Sequence, residues 1–230
     1  MKQKLKALGK DALIIIIFFF IYIFGLYLFY GIYRTPNDTE LQIIDLLSLI
    51  IASSIICIIF RKELASQLKS FFKNFQKSII KYLPIYFIAY FLVVISNNIL
   101  INLVGNTATN EAINQNAIIT YPIKSFISVC VLAPLYEELL FRLNFKNLFK
   151  KKWAYTIITG LFFGSLHLIA ATSTLELLYI IPYSILGMTL SYIYFDSNNI
   201  YNSIFIHFLN NTIQFILIII GGLLWKDLFV

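Results

Sequence analysis

Charged residues are scarce in this sequence. Of its 230 residues, 13% are Asp, Glu, Lys or Arg, whereas soluble domains contain about 25%. Hydrophobic residues make up 60% of the chain, and the mean hydropathy is +0.82. This composition excludes a soluble globular protein. It predicts an all-α, polytopic transmembrane helix bundle, organised as one membrane domain over residues 1–230 and without a nucleic-acid partner.

Cysteine, glycine and proline are also rare, with 2, 9 and 5 residues respectively. Cys57 and Cys130 lie in apolar runs, where a free cysteine packs as a small hydrophobe. They therefore indicate no particular redox compartment. The bias towards Ile, Asn, Lys, Phe and Tyr is typical of an A+T-rich coding sequence and favours a bacterial protein.

Several catalytic signatures are absent as well. The sequence has no His-Glu-x-x-His, Gly-x-Ser-x-Gly or Walker-type motif, so it lacks the metal, serine and nucleotide signatures that those motifs provide. It also shows no internal repeat of the kind found in many transporters. That absence argues against an ion-coupled transporter.

Long apolar runs organise the chain. A helix needs about 20 apolar residues to cross the hydrocarbon core, and the runs predict seven spans, or eight with a short extra helix. The first run lacks a small-residue cleavage site, which predicts a retained span rather than a signal peptide. A polar segment, 105–124, is predicted to be an outer loop. The spans are expected at 13–33, 41–60, 83–104, 127–145, 153–171, 175–195 and 200–224.

Residues 61–81 break the pattern of apolar runs. Apolar residues and lysines alternate there at helical spacing, which predicts a basic amphipathic helix at the membrane interface, bound to anionic lipid. The alternative is a solvated linker helix. The apolar positions are Leu64, Leu68, Phe71, Phe72, Phe75 and Ile79, and the lysines between them are Lys69, Lys73 and Lys77.

The net charge of +7 is unevenly distributed. With seven spans, most lysines and arginines fall on the side of the amino terminus. Only Arg34, Lys124 and Lys226 fall in the opposite segments. Because positive charge concentrates in cytoplasmic loops, the sequence predicts a multi-pass protein of the cell membrane with a cytoplasmic amino terminus.

An acidic pair and an arginine interrupt the predicted fourth span. Each charged side chain at bilayer depth costs at least ~2.5–3.5 kcal/mol on insertion scales. Glu138 and Arg142 are four residues apart, so they share a helix face and can form an ion pair. Glu137 lies about 100° around the helix from Glu138. This spacing predicts a supporting pair and a separate, reactive Glu137.

The only two histidines of the chain, His167 and His207, also fall inside predicted spans. Ionisable residues in membrane spans indicate a functional site, although a single intramembrane histidine can be a simple packing contact. Asn211 lies on the face of His207, one turn later, and Phe163 lies one turn before His167. Counted from the inner ends of the spans, His167 is expected to lie deeper than the other candidates.

Two glycines predict how the fifth span packs. Gly160 and Gly164 form a small-xxx-small face on the side of His167, which allows a neighbouring helix to approach closely. Helix packing alone would also explain the pair.

Together these side chains can hydrolyse a bond. A buried carboxylate can take a proton from water, a histidine can orient that water, and an amide or imidazole can stabilise an oxyanion. The same set could bind a metal, because two histidines and a glutamate are known zinc ligands. If a metal is present, its expected ligands are Glu137, His167 and His207. The residues alone leave a metal-free site and a divalent metal such as zinc both open.

Three short motifs follow one another on separate predicted spans: Glu137-Glu138-x-x-x-Arg142, Phe163-x-x-x-His167 and His207-x-x-x-Asn211. In this order they resemble the CPBP family, the CAAX-protease and bacteriocin-processing (Abi) group of intramembrane endopeptidases. The resemblance covers roughly residues 125–215, which would carry the catalytic helices. It implies a multi-helix membrane fold with a catalytic cavity open towards the cytoplasm.

The resemblance also implies a role for each motif position. Glu137 would activate water, and His167 would assist the glutamate and the water. His207 and Asn211 would stabilise the oxyanion. Glu138, Arg142 and Phe163 are motif positions with supporting roles. Relatives have been described both as metalloproteases and as glutamate-dependent proteases, so the resemblance leaves the metal open.

The sequence therefore predicts an intramembrane endopeptidase. Its expected substrate is a membrane-associated protein or peptide, cleaved near the cytoplasmic side by a glutamate-activated water. Two alternatives belong to other classes of function. One is a non-catalytic membrane scaffold or bacteriocin-immunity partner, and the other is an ion-coupled transporter.

Overall fold

In a computed structural model of the chain, residues 37–228 are described, with side chains up to residue 222. The predicted first span, 13–33, lies outside this part of the chain. Residues 37–228 are helical almost throughout and contain no strand. The predicted all-α class is therefore confirmed.

Helix α1 (Asp38–Ile59) corresponds to the predicted second span. A capping box starts it: the Asn37 side chain accepts a hydrogen bond from the Glu40 amide at 2.9 Å, and the Glu40 carboxylate accepts one from the Asn37 amide at 3.1 Å. An ion pair between Asp45 and Lys124 joins α1 to a later helix.

Helix α2 (Arg61–Val104) is a single element of 44 residues. The sequence predicted two elements here, an interfacial helix over 61–81 and a span over 83–104, and that division is wrong. Only the polarity changes near Leu83, and Pro84 lies inside the continuing helix. At about 1.5 Å per residue α2 is roughly twice as long as the hydrocarbon core is thick.

The predicted outer loop contains helix α3 (Thr109–Thr120). Before it, Gly105 ends α2 with a left-handed φ of 90°, which glycine adopts without a steric penalty. A buried carboxylate attaches α3 to the bundle, since Glu176 accepts hydrogen bonds from the Thr109 amide at 3.1 Å and its hydroxyl at 2.7 Å. The loop is therefore more ordered than its polar composition predicted.

The motif helix, defined as residues 122–143, carries the acidic pair. It is continuous but alternates between α- and π-helical turns. Its parts are α4 (Pro122–Ser125), a π-helix (Phe126–Leu132), α5 (Ala133–Glu138) and a second π-helix (Leu139–Leu143). Such π segments are rare and often occur at functional sites.

The remaining helices follow the predicted order. A 3₁₀ turn (Lys146–Leu148) leads to α6 (Lys152–Leu166), and a second 3₁₀ segment (Leu175–Tyr179) leads to α7 (Ile180–Ser197). Helix α8 (Ile200–Leu228) is the last.

Four helical segments are long and apolar enough to cross a membrane by length and composition: Asp38–Ile59, Arg61–Val104, Leu175–Ser197 and Ile200–Gly222. These are a minimum for residues 37–228, because the motif helix is divided by its π segments and α6 has only 15 residues. The total of seven spans stays a prediction.

Close contact between α6 and α7 places the site residues. A methyl group on Gly160 would lie 2.6 Å from the Met188 backbone nitrogen, and one on Gly164 would lie 3.0 Å from that of Ser184. The first distance is shorter than real Cβ contacts, and the second is tighter than nearly all of them. The predicted close approach at Gly160 and Gly164 is therefore confirmed.

Candidate active site

Glu138 is the centre of a buried polar network. Its side chain is fully buried, as is that of Arg142, whose Nη1 lies 3.3 Å from Glu138 Oε1. The predicted ion pair is present, although its geometry is not that of a hydrogen bond. His207 Nδ1 donates to Glu138 Oε1 at 2.9 Å, and the Ser203 hydroxyl donates to Oε2. Glu138 therefore has donors on both oxygens, as an ionised carboxylate buried in a membrane protein requires.

Arg142 extends the network towards α7. Its Nη2 donates to the Gly187 carbonyl at 3.3 Å, and its guanidinium lies 4.3 Å from the centre of the Phe163 ring. A methyl group on Gly187 would come within 2.8 Å of the Gly160 carbonyl. The glycine contact between α6 and α7 thus brings the Gly187 carbonyl within reach of Arg142.

Glu137 differs from its neighbour in its partners. Its Oε1 accepts a hydrogen bond from the Tyr136 hydroxyl at 3.2 Å. Its Oε2 is buried and has no hydrogen-bond partner among the described residues. That oxygen lies 3.9 Å from His207 Nε2, so the His207 ring lies between the two glutamates. A buried acceptor without a donor is costly, and this one is available to a water molecule or a substrate.

His167 follows the last residue of α6. Its Nδ1 lies 3.0 Å from the Phe163 carbonyl. A carbonyl only accepts, so Nδ1 carries the proton and Nε2 presents a lone pair in the neutral ring. The imidazole packs on the rings of Phe163 and Tyr183, at centroid distances of 4.5 and 4.7 Å. Its orientation is therefore fixed from both sides.

Phe163 brings the two histidines to one site. Its ring contacts His167 and also His207, at 5.8 Å between centroids. His167 was expected to lie deeper in the membrane than the other candidates, but this does not separate the motifs. Phe163 lies one turn before His167 on α6, and its ring contacts both histidines.

Asn211 is engaged with the motif helix. Its Nδ2 donates to the Val129 carbonyl at 2.8 Å, and its Oδ1 accepts from Asn210 Nδ2 at 3.0 Å. The Val129 carbonyl has no backbone donor, because a π-helical turn would pair it with residue 134. That residue is a proline and has no amide hydrogen. Asn211 thus satisfies a backbone acceptor about two turns before the acidic pair. The oxyanion role implied for it stays a prediction.

Sequence reasoning missed Ser203, and Asn210 is a further polar neighbour in the site. Ser203 is fully buried and bonded to Glu138. It lies four residues before His207, on the same face of α8, so helical spacing could have identified it. Asn210 bonds to Asn211 and to the Tyr86 hydroxyl, the latter at 3.4 Å. No sequence signal indicated Tyr183, which comes from α7.

A metal site was the alternative predicted for Glu137, His167 and His207. Within residues 37–228 no three His, Cys, Asp or Glu side chains are arranged to hold a metal ion. Glu137, His167 and His207 as arranged therefore do not form a metal site.

The arrangement combines one available carboxylate oxygen with two oriented imidazoles. The neighbouring carboxylate of Glu138 forms an ion pair with an arginine. It also accepts hydrogen bonds from a serine and from one of the two imidazoles. Such a site can accept a proton from a polarised water and hold that water near a second group. These are the requirements of hydrolysis.

The family comparison covers the same part of the chain. Residues 119–213 match the family model described as Rce1-like, type II CAAX prenyl endopeptidase. No curated protein and no solved structure matches the chain. The match spans all three motifs and confirms the resemblance found in the sequence. The segment that holds the site, residues 119–213, is therefore similar to the Rce1-like type II CAAX prenyl endopeptidase family.

Proposed function

We propose that the protein is an intramembrane endopeptidase that hydrolyses a peptide bond of a membrane-associated protein or peptide, with Glu137 as the base that activates water. One observation carries the proposal. Of two adjacent glutamates, Glu138 has a donor on each oxygen, whereas Glu137 has a buried oxygen with no partner among the described residues. A buried carboxylate oxygen without a donor can accept a proton from a water molecule that enters the site.

In the proposed reaction, Glu137 takes a proton from a water molecule whose oxygen attacks the scissile carbonyl carbon. The carbonyl oxygen becomes an oxyanion. Glu137 then returns the proton to the leaving nitrogen as the carbon–nitrogen bond breaks. The products are a carboxylic acid and an amine, which exchange a proton to become a carboxylate and an ammonium group. His167 would orient the water through its Nε2 lone pair, because its Nδ1 is committed to the Phe163 carbonyl.

Two side chains of α8 would stabilise the oxyanion. His207 Nδ1 donates to Glu138, so donation to an oxyanion requires a proton on Nε2 as well. Asn211 gives one amide hydrogen to Val129 and retains a second one for an oxyanion. Donors of this kind typically contribute ~10²–10³-fold to the rate.

We further propose that the protein lies in a bacterial cell membrane with its amino terminus in the cytoplasm and cleaves near that side. The lysines of the segments 61–81 and 146–152 support this orientation through the positive-inside rule. The acidic pair also supports it, since Glu137 is about two turns from the Leu143 end of the motif helix.

Membrane proteomes and released peptides of cells with the wild type or Glu137→Ala test the function. A peptidase loses defined cleavage products in the variant, while the amount of protein in the membrane is unchanged. If a cellular phenotype is identified, its persistence in Glu137→Gln and its loss on substitution of an outer helix face would indicate a scaffold or immunity partner. Gradient-dependent uptake by the purified protein would indicate a transporter.

A further inference from the structure

We propose that the first half of α2 binds the headgroups of anionic phospholipids through the lysine stripe, defined as Lys69, Lys73 and Lys77. These residues are spaced four apart, and all three are exposed. Within the described part of the chain none of them has an ion pair or a hydrogen bond to protein. The stripe is independent of the proposed catalysis.

Three lysines nearby, in contrast, are engaged with protein groups. Lys81 and Lys152 bind Asp196 at 2.6 and 3.0 Å. Lys146 donates to Asn198 and lies 4.3 Å from the centre of the Tyr194 ring. Lysines that bind acidic and polar groups of the protein itself are therefore distinct from lysines that face outwards. The stripe belongs to the second kind and is complementary to a negatively charged surface.

The geometry of α2 places apolar side chains beside the stripe. At about 100° per residue, the three lysines lie about 160–240° around the helix from Phe71, which packs against α8. Between these faces are Leu68 and Phe72, which remain 39% and 68% exposed. A helix with one edge of exposed apolar groups and an adjoining row of lysines fits a bilayer interface better than water or a soluble partner.

The surface is joined to the helix that carries His207 and Ser203. The Gln67 side chain accepts a hydrogen bond from the Ile200 amide at 2.6 Å, and the Gln67 carbonyl accepts one from Asn199 Nδ2 at 2.9 Å. Gln67 thus caps the start of α8. Lipid bound to this half of α2 therefore steadies the amino end of α8 as well.

The test uses the full chain in micelles of an uncharged detergent. Phosphatidylglycerol is titrated in, and phosphatidylcholine of the same acyl chains serves as the neutral comparison. The melting temperature reports binding to the folded protein. Phosphatidylglycerol is expected to raise it more than phosphatidylcholine. Because each lysine contributes comparably to binding an anionic surface, Lys69→Gln/Lys73→Gln is expected to bind phosphatidylglycerol roughly thirtyfold more weakly.

A charge-matched control removes two exposed lysines of the loop before α6, Lys150→Gln/Lys151→Gln, and is expected to keep the wild-type affinity. Without lipid, both double variants should melt like the wild type, since none of these side chains has a structural partner among the described residues. The proposal is overturned if the stripe variant keeps its response, if the control loses as much, or if phosphatidylcholine acts equally well. A full response to water-soluble glycerol phosphate would also overturn it, by indicating a site for a free anion.

Discussion

Two carboxylate clusters of this protein differ in how completely their oxygens are bonded. At the α7–α8 turn, Asp196 receives Lys81 and the Tyr82 hydroxyl on one oxygen and Lys152 on the other, at 2.6–3.0 Å. In the motif helix Glu138 is bonded on both oxygens, but Glu137 is not. A carboxylate that only joins helices uses all of its acceptors, whereas a base must keep one for its substrate. This difference is the basis for our proposal that Glu137 is the reactive group.

Removal of the buried cation in the site should have the largest effect on stability. Arg142→Ala leaves the fully buried Glu138 without its guanidinium, and breaking such a pair typically costs about 3–5 kcal/mol. We expect a large fall in melting temperature or a failure to fold. The control is Arg61→Ala, an exposed position at the start of α2. Equal stability of the two variants would contradict a charge-compensating role for Arg142.

Substitution of Gly160 tests the helix contact beneath the site. In Gly160→Ala the new methyl group meets backbone atoms of Met188 at 2.6 and 2.8 Å, which a side-chain rotation cannot relieve. Overpacking of this kind typically costs about 1–3 kcal/mol. Gly221→Ala is the matched control, since nothing lies within 4 Å of its added methyl group. We expect opposite effects on the free energy of unfolding, with Gly221→Ala neutral or stabilising.

Substitution of Ser203, the serine bonded to Glu138, should have a moderate effect on stability and activity. A hydrogen bond to a charged group contributes about 1.5–3 kcal/mol, so Ser203→Ala should lower stability by no more than this amount. Because Ser203 acts through Glu138 and His207, kcat should fall while KM stays constant. Ser53→Ala is a suitable control, since the Ser53 hydroxyl is buried without a partner among the described residues. If KM alone changed, Ser203 would act on substrate binding instead.

Substitution of Asp196, in the other carboxylate cluster, should have the smallest effect on stability and activity. Asp196→Asn removes the charge of a partly exposed group that pairs with Lys81, whose side chain is 53% exposed. Exposed ion pairs typically contribute less than about 1 kcal/mol. Thermal unfolding should show a small loss of stability and an assay of cleavage no loss of activity. Loss of activity without loss of stability would break the distinction between the two clusters.

Local spacing predicted the parts of the site that lie within one turn of a helix. The Glu138–Arg142 pair follows from the four-residue period, and the Gly160–Gly164 face follows from small residues at the same spacing. The polarity of the runs was sufficient for most helix positions. These features depend on neighbours along the chain, which a sequence displays directly.

Features that depend on backbone hydrogen bonds or distant contacts were not predictable in this way. Composition does not indicate the π-helical turns. The sequence therefore could not predict that the Val129 carbonyl lacks a backbone partner and accepts a hydrogen bond from Asn211 instead. The continuity of α2 was missed because a change in polarity was interpreted as a change in structure. The hydrogen bonds of a helix join backbone groups, so a change in side-chain polarity does not interrupt them.

The most direct test measures cleavage by the purified, reconstituted protein with Glu137→Gln, which keeps the shape of the side chain and removes its basicity. Asp196→Asn serves as the carboxylate control, and melting temperatures confirm that both variants are folded. A general base typically contributes about 10²–10⁴-fold to the rate. We therefore expect kcat of Glu137→Gln to fall by that factor at an unchanged melting temperature, whereas cleavage within a few-fold of the wild type would contradict Glu137 as the base.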